Sequence, residues 1–537
     1  MAEIRGADSK LESLDPRIAS RAVIAAFAFS AVYFTGLFPP FSNPNELSRL
    51  ETVYAAVELS TFRIDGAIAV LGDHEDKSLS DGHFYSNKAP GLAIAAIPIY
   101  RILRVFAPAP RSATDAIFVW LRILTVSAVC VLALARFLRR LAPSPAAALV
   151  GFAVAFGTPF LFYARSFFAH AWAASLLLLS WDLARTARAR EGSRRVGALL
   201  AASGLLAGWA AISEYTVAPL ALWLAFGTGS ARRLLPFAAG AALALAVLAG
   251  YDAACFGSPF VLSSAREADP RYAALAGKGL FGFGWPRLAV AAEYLAHPAR
   301  GLLLFSPFWL WIAAGFRRWA RDAGERSEAL FVLGAVAGFF VLLTGYPNWH
   351  GGWTTGNRYL LPVLFFAALA LPHALATPAA RGLFAMAVLF SVIVHVWLTA
   401  AWPHFPLELP WPPATGSLWF LARGWFAGNL LSGWGPVSLL LPAAAAAAAG
   451  GLALRAAGPL KPAASVSLLA SLLIFAASLA LAPRPPYLGR LWRASIFGAY
   501  SGIDAGREEL RRVAVEASTP TERRQAAGAW RLYGPRP

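Results

Sequence analysis

Two stretches of this sequence hold residue types that can handle a phosphate and a hydroxyl group together. The first opens with Asn43-Pro44-Asn45-Glu46-Leu47-Ser48-Arg49 and closes with Tyr85-Ser86-Asn87-Lys88-Ala89-Pro90-Gly91. Asn43-Pro44 can start a helix, on which Glu46 and Arg49, three positions apart, share one face. A carboxylate beside a guanidinium can deprotonate a hydroxyl while the arginine holds a phosphate. Lys88 is one of only five lysines, and it stands between Tyr85 and Pro90 at the mouth of an apolar segment. A compact ammonium placed there suits a lipid phosphate. Between the two motifs lie Glu51, Glu58, Asp65, Asp73, Glu75, Asp76 and Asp81. The run Asp73-His74-Glu75-Asp76 has the oxygens a hard cation wants, but it lacks an EF-hand spacing and a His/Cys ligand set. It reads as a solvated loop; no metal ligand and no cofactor is assigned, and the question of a divalent cation stays open.

The second stretch runs from Tyr346 to Tyr359 and includes Trp349, His350, Gly351, Gly352, Trp353, Gly356 and Arg358. Flat aromatic faces can stack on a sugar ring, glycine permits close approach, and Arg358 can pair with a phosphate. Further candidates stand at the ends of apolar runs: Tyr163, His170, Glu214 and Tyr215, with Tyr251-Asp252 beyond them. Ionisable groups are costly in lipid and are functional candidates there by default.

The elements that must position these groups are membrane helices. Of 537 residues 58% are hydrophobic and 14% charged, with a mean hydropathy of +0.56, which excludes a soluble enzyme with one anchor. The net charge of +18 comes from arginines clustered at the ends of apolar runs, where they set topology, so nucleic acid is not an expected partner. Two cysteines, Cys130 and Cys255, make no disulfide framework. Apolar runs lie at 22–38, 116–135, 147–164, 168–185, 197–229, 234–251, 300–316, 328–345, 359–376, 381–401, 436–455 and 463–482.

Parity of the basic clusters Arg136/Arg139/Arg140, Arg185 to Arg195, Arg232/Arg233 and Arg317 to Arg326 fixes a topology. Residues 1–20 form a cytoplasmic segment and 22–38 a signal anchor. Run 197–229 is two short spans that turn near Ser213-Glu214-Tyr215, and 90–107 is an interfacial or re-entrant helix. The expectation is an all-α polytopic fold with about thirteen spans over 21–482. A large first outer loop at 39–115 carries interfacial helices, and further outer loops lie at 252–299, 346–358 and 402–435. Parity places the arginine-rich tail 483–537 on the outer side as well.

In these features the chain resembles the GT-C superfamily of integral-membrane glycosyltransferases. The resemblance is to the branch of protein O-mannosyltransferases, lipid A aminoarabinose transferases and related bacterial polyprenyl-phosphate-sugar-dependent transferases. It covers most of residues 20–480 and rests on the inside N-terminus, the large first outer loop with an early acidic residue, and the Lys-Pro type motif that closes it. It implies a GT-C-like fold, a catalytic base at Glu46, a phosphate contact at Arg49 and a lipid-phosphate contact at Lys88. Many members carry Asp-Glu where this chain has Asn45-Glu46, and Lys-Pro-Pro where it has Lys88-Ala89-Pro90; Asp65 is therefore the reserve base.

The function expected is transfer of a sugar, with inversion, from a polyprenyl-phosphate-linked donor to a lipid, polysaccharide or protein acceptor. Arg49, Lys88 and Arg358 would bind the donor phosphate, while Tyr85, Tyr163, His170, Glu214, Tyr215, Trp349 and His350 would line the substrate site among membrane lipids. The rivals are a transporter or flippase of a lipid-linked saccharide, and a surface-polysaccharide polymerase or ligase. The Ala, Arg and Gly content suggests a GC-rich bacterial genome. With that origin the chain is expected to be a multi-pass protein of the bacterial inner membrane, its active side facing the periplasm.

Overall fold

The computed structural model describes residues 15–35, 43–142, 144–190, 195–276, 282–401, 404–457, 463–500 and 504–533. Most of the expected cytoplasmic segment, 1–14, and Trp402-Pro403 of the last outer loop lie outside the described residues. The chain is a multi-pass membrane protein built almost wholly of helices. Among the described residues seven helices are long and apolar enough to cross a membrane: Pro16–Phe34, Ala116–Leu141, Val196–Ser213, Ala231–Phe256, Arg326–Thr344, Pro378–Ala400 and Ser432–Ala456.

Beside these seven, several apolar runs expected as spans form shorter or interrupted helices, and the interruptions have identifiable causes. Run 147–164 stops being helical at Phe156, before Gly157-Thr158-Pro159. Runs 300–316 and 359–376 are divided into short pieces around Pro307, Pro362 and Pro372, because proline removes a backbone donor and crowds the preceding turn. Run 197–229 does break at Glu214, whose backbone is extended at φ −148°, before a second short helix at Ala218–Phe226.

From residue 43 on, the segment expected as the first outer loop folds into a compact unit after α1 (Pro16–Thr35). It consists of α2 (Pro44–Glu58), α3 (Asp65–Leu71), the hairpin β1 (Lys77–Ser80) and β2 (His83–Ser86), and α4 (Gly91–Phe106). Asn43 caps α2 by accepting a hydrogen bond from Asn45 N at 3.0 Å, with Pro44 in the first turn, a favoured pairing at a helix start. The hairpin pairs Lys77 with Ser86 and Ser80 with His83. Its turn, Asp81-Gly82, has φ of 49° and 78°, the left-handed two-residue connection that matches strand twist.

Helices Val196–Ser213 and Ala231–Phe256 cross closely. A Cβ on Gly204 would sit 1.8 Å from Phe237 O, and one on Gly240 would sit 1.9 Å from Ala201 O, the use of small residues expected where lipid supplies no hydrophobic drive. The basic clusters meet at one end of the bundle: Arg140 and Arg185 both reach Glu328 at 2.9 Å, and Arg136 pairs with Asp182. The tail forms helices Tyr487–Tyr500, Asp504–Ala514 and Pro520–Tyr533. It packs on the loops after 346, with Trp492 against Trp353 at 5.8 Å and Arg493 donating to Thr415 O at 2.6 Å.

Candidate active site

Helix α2 turns Asn45 and Arg49, one full turn apart, toward a cavity of 2380 Å³. Arg49 is 2% exposed; its Nη1 donates to Asn45 O at 2.9 Å and to Asn45 Oδ1. Burial brings this guanidinium down to about 10, against the opposing pull of Glu214 and Asp76. Its Nε is buried without a hydrogen-bond partner among the described residues, a donor open to an anion.

The segment that leads into the hairpin is pinned from three sides. Ser48 Oγ donates to Asp76 O at 2.8 Å, Asp76 N donates to His74 Nδ1 at 3.1 Å, and His74 Nε2 lies 2.7 Å from Glu51 Oε2. Because Nδ1 accepts, Nε2 carries the proton and donates to Glu51, whose carboxyl burial pushes up. So held, the Asp76 carboxylate meets Lys88 Nζ at 3.0 Å. Burial alone would raise Asp76, but the charge and hydrogen bond of Lys88, with His74 and Arg358, together outweigh it and the group lies below the ordinary carboxylate range.

The glycine-rich loop supplies the third cation. Gly351 and Gly352 have φ of 71° and 68°, a turn open to glycine at low cost. Arg358 lies over the rings of Phe168 at 5.2 Å and Tyr359 at 5.3 Å. The buried Arg300 fixes the loop by donating to His350 O, to Gly352 O at 2.9 Å and to Phe405 O at 3.5 Å. Burial lowers His350 to about 4. At the break between two helices, Glu214 lies 3.6 Å from His170 and accepts from Thr216 Oγ1 at 3.0 Å.

Of the residues singled out in the sequence, the cavity wall brings together Arg49, Lys88, Arg358, His170, Glu214, Tyr215 and His350. Asp73, His74, Glu75 and Asp76 are also on it. Leu222, Leu245, Leu248, Phe260 and Leu342 continue the same wall; Leu222 is 66% and Phe260 90% exposed. One cavity therefore joins a cationic cluster to an apolar rim with exposed side chains.

Five expected residues lie off this wall, each for a physical reason. Glu46 is turned from Arg49 into the protein, where Oε1 is 3.3 Å from Arg122 Nε and accepts from Phe167 N. Asp65 starts α3 and is 41% exposed, accepting from Phe84 N at 3.3 Å. Tyr85 packs on Phe256 at 5.5 Å, and Tyr163 is buried with its hydroxyl on Thr354. Trp349 packs between Tyr294 at 5.7 Å and His297 at 5.5 Å, behind the loop.

Sequence reasoning missed several lining groups, among them Glu267, Arg271, Tyr272, Glu408 and Trp492. Glu267 stands in an expected outer loop, so a survey of every loop acid would have found it. Trp492 had no such signal, because only folding brings the tail to the cavity. Among the described residues no three His, Cys, Asp or Glu side chains form a group that could hold a metal.

No protein-family profile matches the chain, and no curated protein is similar to it. Among solved structures it is similar to ArnT from Cupriavidus metallidurans bound to undecaprenyl phosphate, with TM-score 0.44 and 15% identity over 82% of this chain and 76% of that one. It is also similar to the archaeal oligosaccharyltransferase AglB from Archaeoglobus fulgidus in complex with an inhibitory peptide and a dolichol-phosphate. There the TM-score is 0.43, with 15% identity over 96% of this chain and 60% of that one. For the arabinosyltransferase EmbB from Mycobacterium smegmatis the TM-score is 0.41, with 13% identity over 86% of this chain and 41% of that one.

Proposed function

We propose that the protein is a GT-C-type membrane glycosyltransferase that moves a sugar from a polyprenyl-phosphate-linked donor to an acceptor at the outer face of a bacterial inner membrane. The observation that carries this reading is the single cavity with Arg49, Lys88 and Arg358 on one part of its wall and Leu222, Leu245 and Leu248 on another. An isoprenoid chain needs a lipid-facing apolar rim, and its phosphate needs cations at the end of that rim. Arg49 offers an open Nε donor, Lys88 a point charge and Arg358 a planar fork stacked on aromatic rings. Together they would stabilise the negative charge that develops on the phosphate as it leaves the sugar.

In this reading Arg358 and His350 bring the glycine-rich loop to the sugar, and His170, Glu214 and Tyr215 line its pocket. The acceptor, whether lipid, polysaccharide or protein, enters from the loop side. Its hydroxyl or amine must lose a proton, and neither Glu46 nor Asp65 reaches the cavity to take it. The acids on the wall are Asp73, Glu75, Asp76, Glu214, Glu267 and Glu408.

The test is binding of synthetic undecaprenyl phosphate to the purified protein in nanodiscs, together with transfer of radiolabelled sugar from polyprenyl-phosphate sugars to membrane extract. Binding and transfer by wild type, both weakened in Lys88→Ala and Arg358→Ala, are expected. Wild type that binds no lipid phosphate, or variants that match it in both assays, would overturn the reading.

A further inference from the structure

We infer that Glu267 is the general base that takes the acceptor's proton, a role that rests on the transfer reaction proposed above. Glu267 lies in the loop after helix Ala231–Phe256, and three contacts fasten this loop to the hairpin. Its backbone pairs with Ser78 in an antiparallel bridge, Ala268 N donates to Lys77 O at 2.9 Å, and Ser78 Oγ donates to Ser263 O at 2.7 Å. Ser263 Oγ in turn donates to Asn87 O at 3.1 Å. The acid is thus locked to the strand end that carries Lys88, and base and phosphate ligand keep a fixed relation.

One carboxylate oxygen is spoken for, since Asn87 Nδ2 donates to Oε2 at 2.8 Å. The residue lines the cavity, so Oε1 remains to meet an acceptor. Most of the other acids on the wall are engaged by a neighbour or open to solvent. Asp76 is 3.0 Å from Lys88, Asp73 is paired with Lys77, and Glu75 is exposed. Glu214 lies 3.6 Å from His170 and accepts from Thr216 Oγ1; Glu408 feels the charge of Arg300 much as Glu267 feels that of Lys88, but it is Glu267 that Asn87, next to Lys88, holds by a side-chain bond. Among the described residues Glu267 has no cation within salt-bridge distance, and its one hydrogen-bond anchor is a neutral amide.

The surroundings suit proton transfer near neutrality. Burial pushes the Glu267 carboxyl up to about 7; the Asn87 bond and the Lys88 charge lower it, and Asp76 and Asp269 raise it. A base works best when its pKa lies near the operating pH. In the step, the acceptor O–H (or N–H) bond breaks and its proton passes to Glu267. The freed electron pair forms the bond to the anomeric carbon, the carbon–oxygen bond to the phosphate breaks, and the phosphate oxygen keeps that pair. The products are the glycosylated acceptor, polyprenyl phosphate and one proton.

The experiment uses the full chain in nanodiscs, with wild type, Glu267→Gln and Glu267→Asp. Undecaprenyl phosphate binding is measured beside the pH profile of sugar transfer from polyprenyl-phosphate sugars to membrane extract. Wild-type transfer is expected to rise with pH through a limb near 7, since only the anionic form accepts a proton. Glu267→Gln should bind as wild type, lose about 10²–10⁴-fold in kcat and lose that limb, while Glu267→Asp should keep a displaced limb at lower rate. A Glu267→Gln protein that transfers at wild-type rate, or keeps the limb, would overturn the role. If Glu267→Gln does not fold, an unchanged midpoint in Glu267→Asp overturns it instead. Wild type that binds lipid phosphate yet transfers no sugar removes the transfer reading itself, and this role with it.

Discussion

Glu46 and Arg122 face each other at 3.3 Å with side chains 4% and 3% exposed, a buried ion pair at the start of α2. Arg122 sits immediately before a π-helical turn, Ile123–Ser127, of the kind that re-aims helix side chains. Removing one partner of a buried pair leaves a charge stranded, at roughly 3–5 kcal/mol. Glu46→Gln is therefore expected to lower the unfolding midpoint sharply, and Glu46→Gln with Arg122→Met should recover stability while sugar transfer persists. Thermal unfolding in detergent reads the first effect. A stable Glu46→Gln protein that binds donor but transfers nothing would return the base role to Glu46.

Lys88 and Asp76 make a second pair, at 3.0 Å, on the cavity wall. Lys88→Ala should weaken transfer by about 10²-fold or more, the scale of losing one electrostatic stabiliser. Lys88→Arg should restore only part, because a planar fork replaces a point charge. Rates measured at saturating donor distinguish this from a simple loss of affinity.

His350 stays neutral above about pH 4, because burial disfavours its charged form and Arg300 and Arg358 add to the effect. A base with a depressed pKa takes up its proton only below that value, so His350 contributes no titration between pH 5 and 8. His350→Gln is expected to reduce the rate while leaving the pH profile of transfer unchanged. A profile that shifts in this variant would show that His350 titrates in the working range.

Gly204 and Gly240 set the crossing of helices Val196–Ser213 and Ala231–Phe256, with no room for a Cβ on either. Gly204→Ala should cost about 1–3 kcal/mol through forced separation and disturb Glu214 at the end of the first helix. Gly250→Ala is the control, since its Cβ would meet nothing within 4 Å. Unfolding midpoints of the two variants should differ clearly, and equal midpoints would refute this account of the crossing.

How far the site was legible follows from what each signal encodes. Lys88 and Arg358 were found because lone cations beside proline, glycine and aromatic residues break the local pattern of an apolar chain. Glu214 was found because a charge interrupts a 33-residue apolar run, and the structure puts a helix break there. Glu46 was placed on the face of Arg49 by spacing alone. Yet Arg49 bonds to Asn45, four residues back, and the 60° between positions i and i+3 sends Glu46 to the other side of the wall. Trp349, in the same loop as His350, packs behind it on Tyr294, and composition carries no record of which ring points in. Hydropathy runs on through Pro307, Pro362 and Pro372, where the helices are interrupted, since it is blind to a missing N–H. Glu267 and Trp492 depend on contacts between residues far apart in the chain, Asn87 with Glu267 and Trp353 with Trp492, and such pairings are properties of the fold.

The carboxylate already bonded to Lys88 gives the cavity its own occupant for the ammonium. A bare lysine would clasp a departing lipid phosphate and slow its escape, whereas Asp76, pinned through its backbone by Ser48 and His74, stands ready to reclaim the cation. In the proposed reaction, arrival of a donor would be a partner exchange at Lys88, and departure of the spent lipid the same exchange run backwards. Tight grip is traded for repeated turnover.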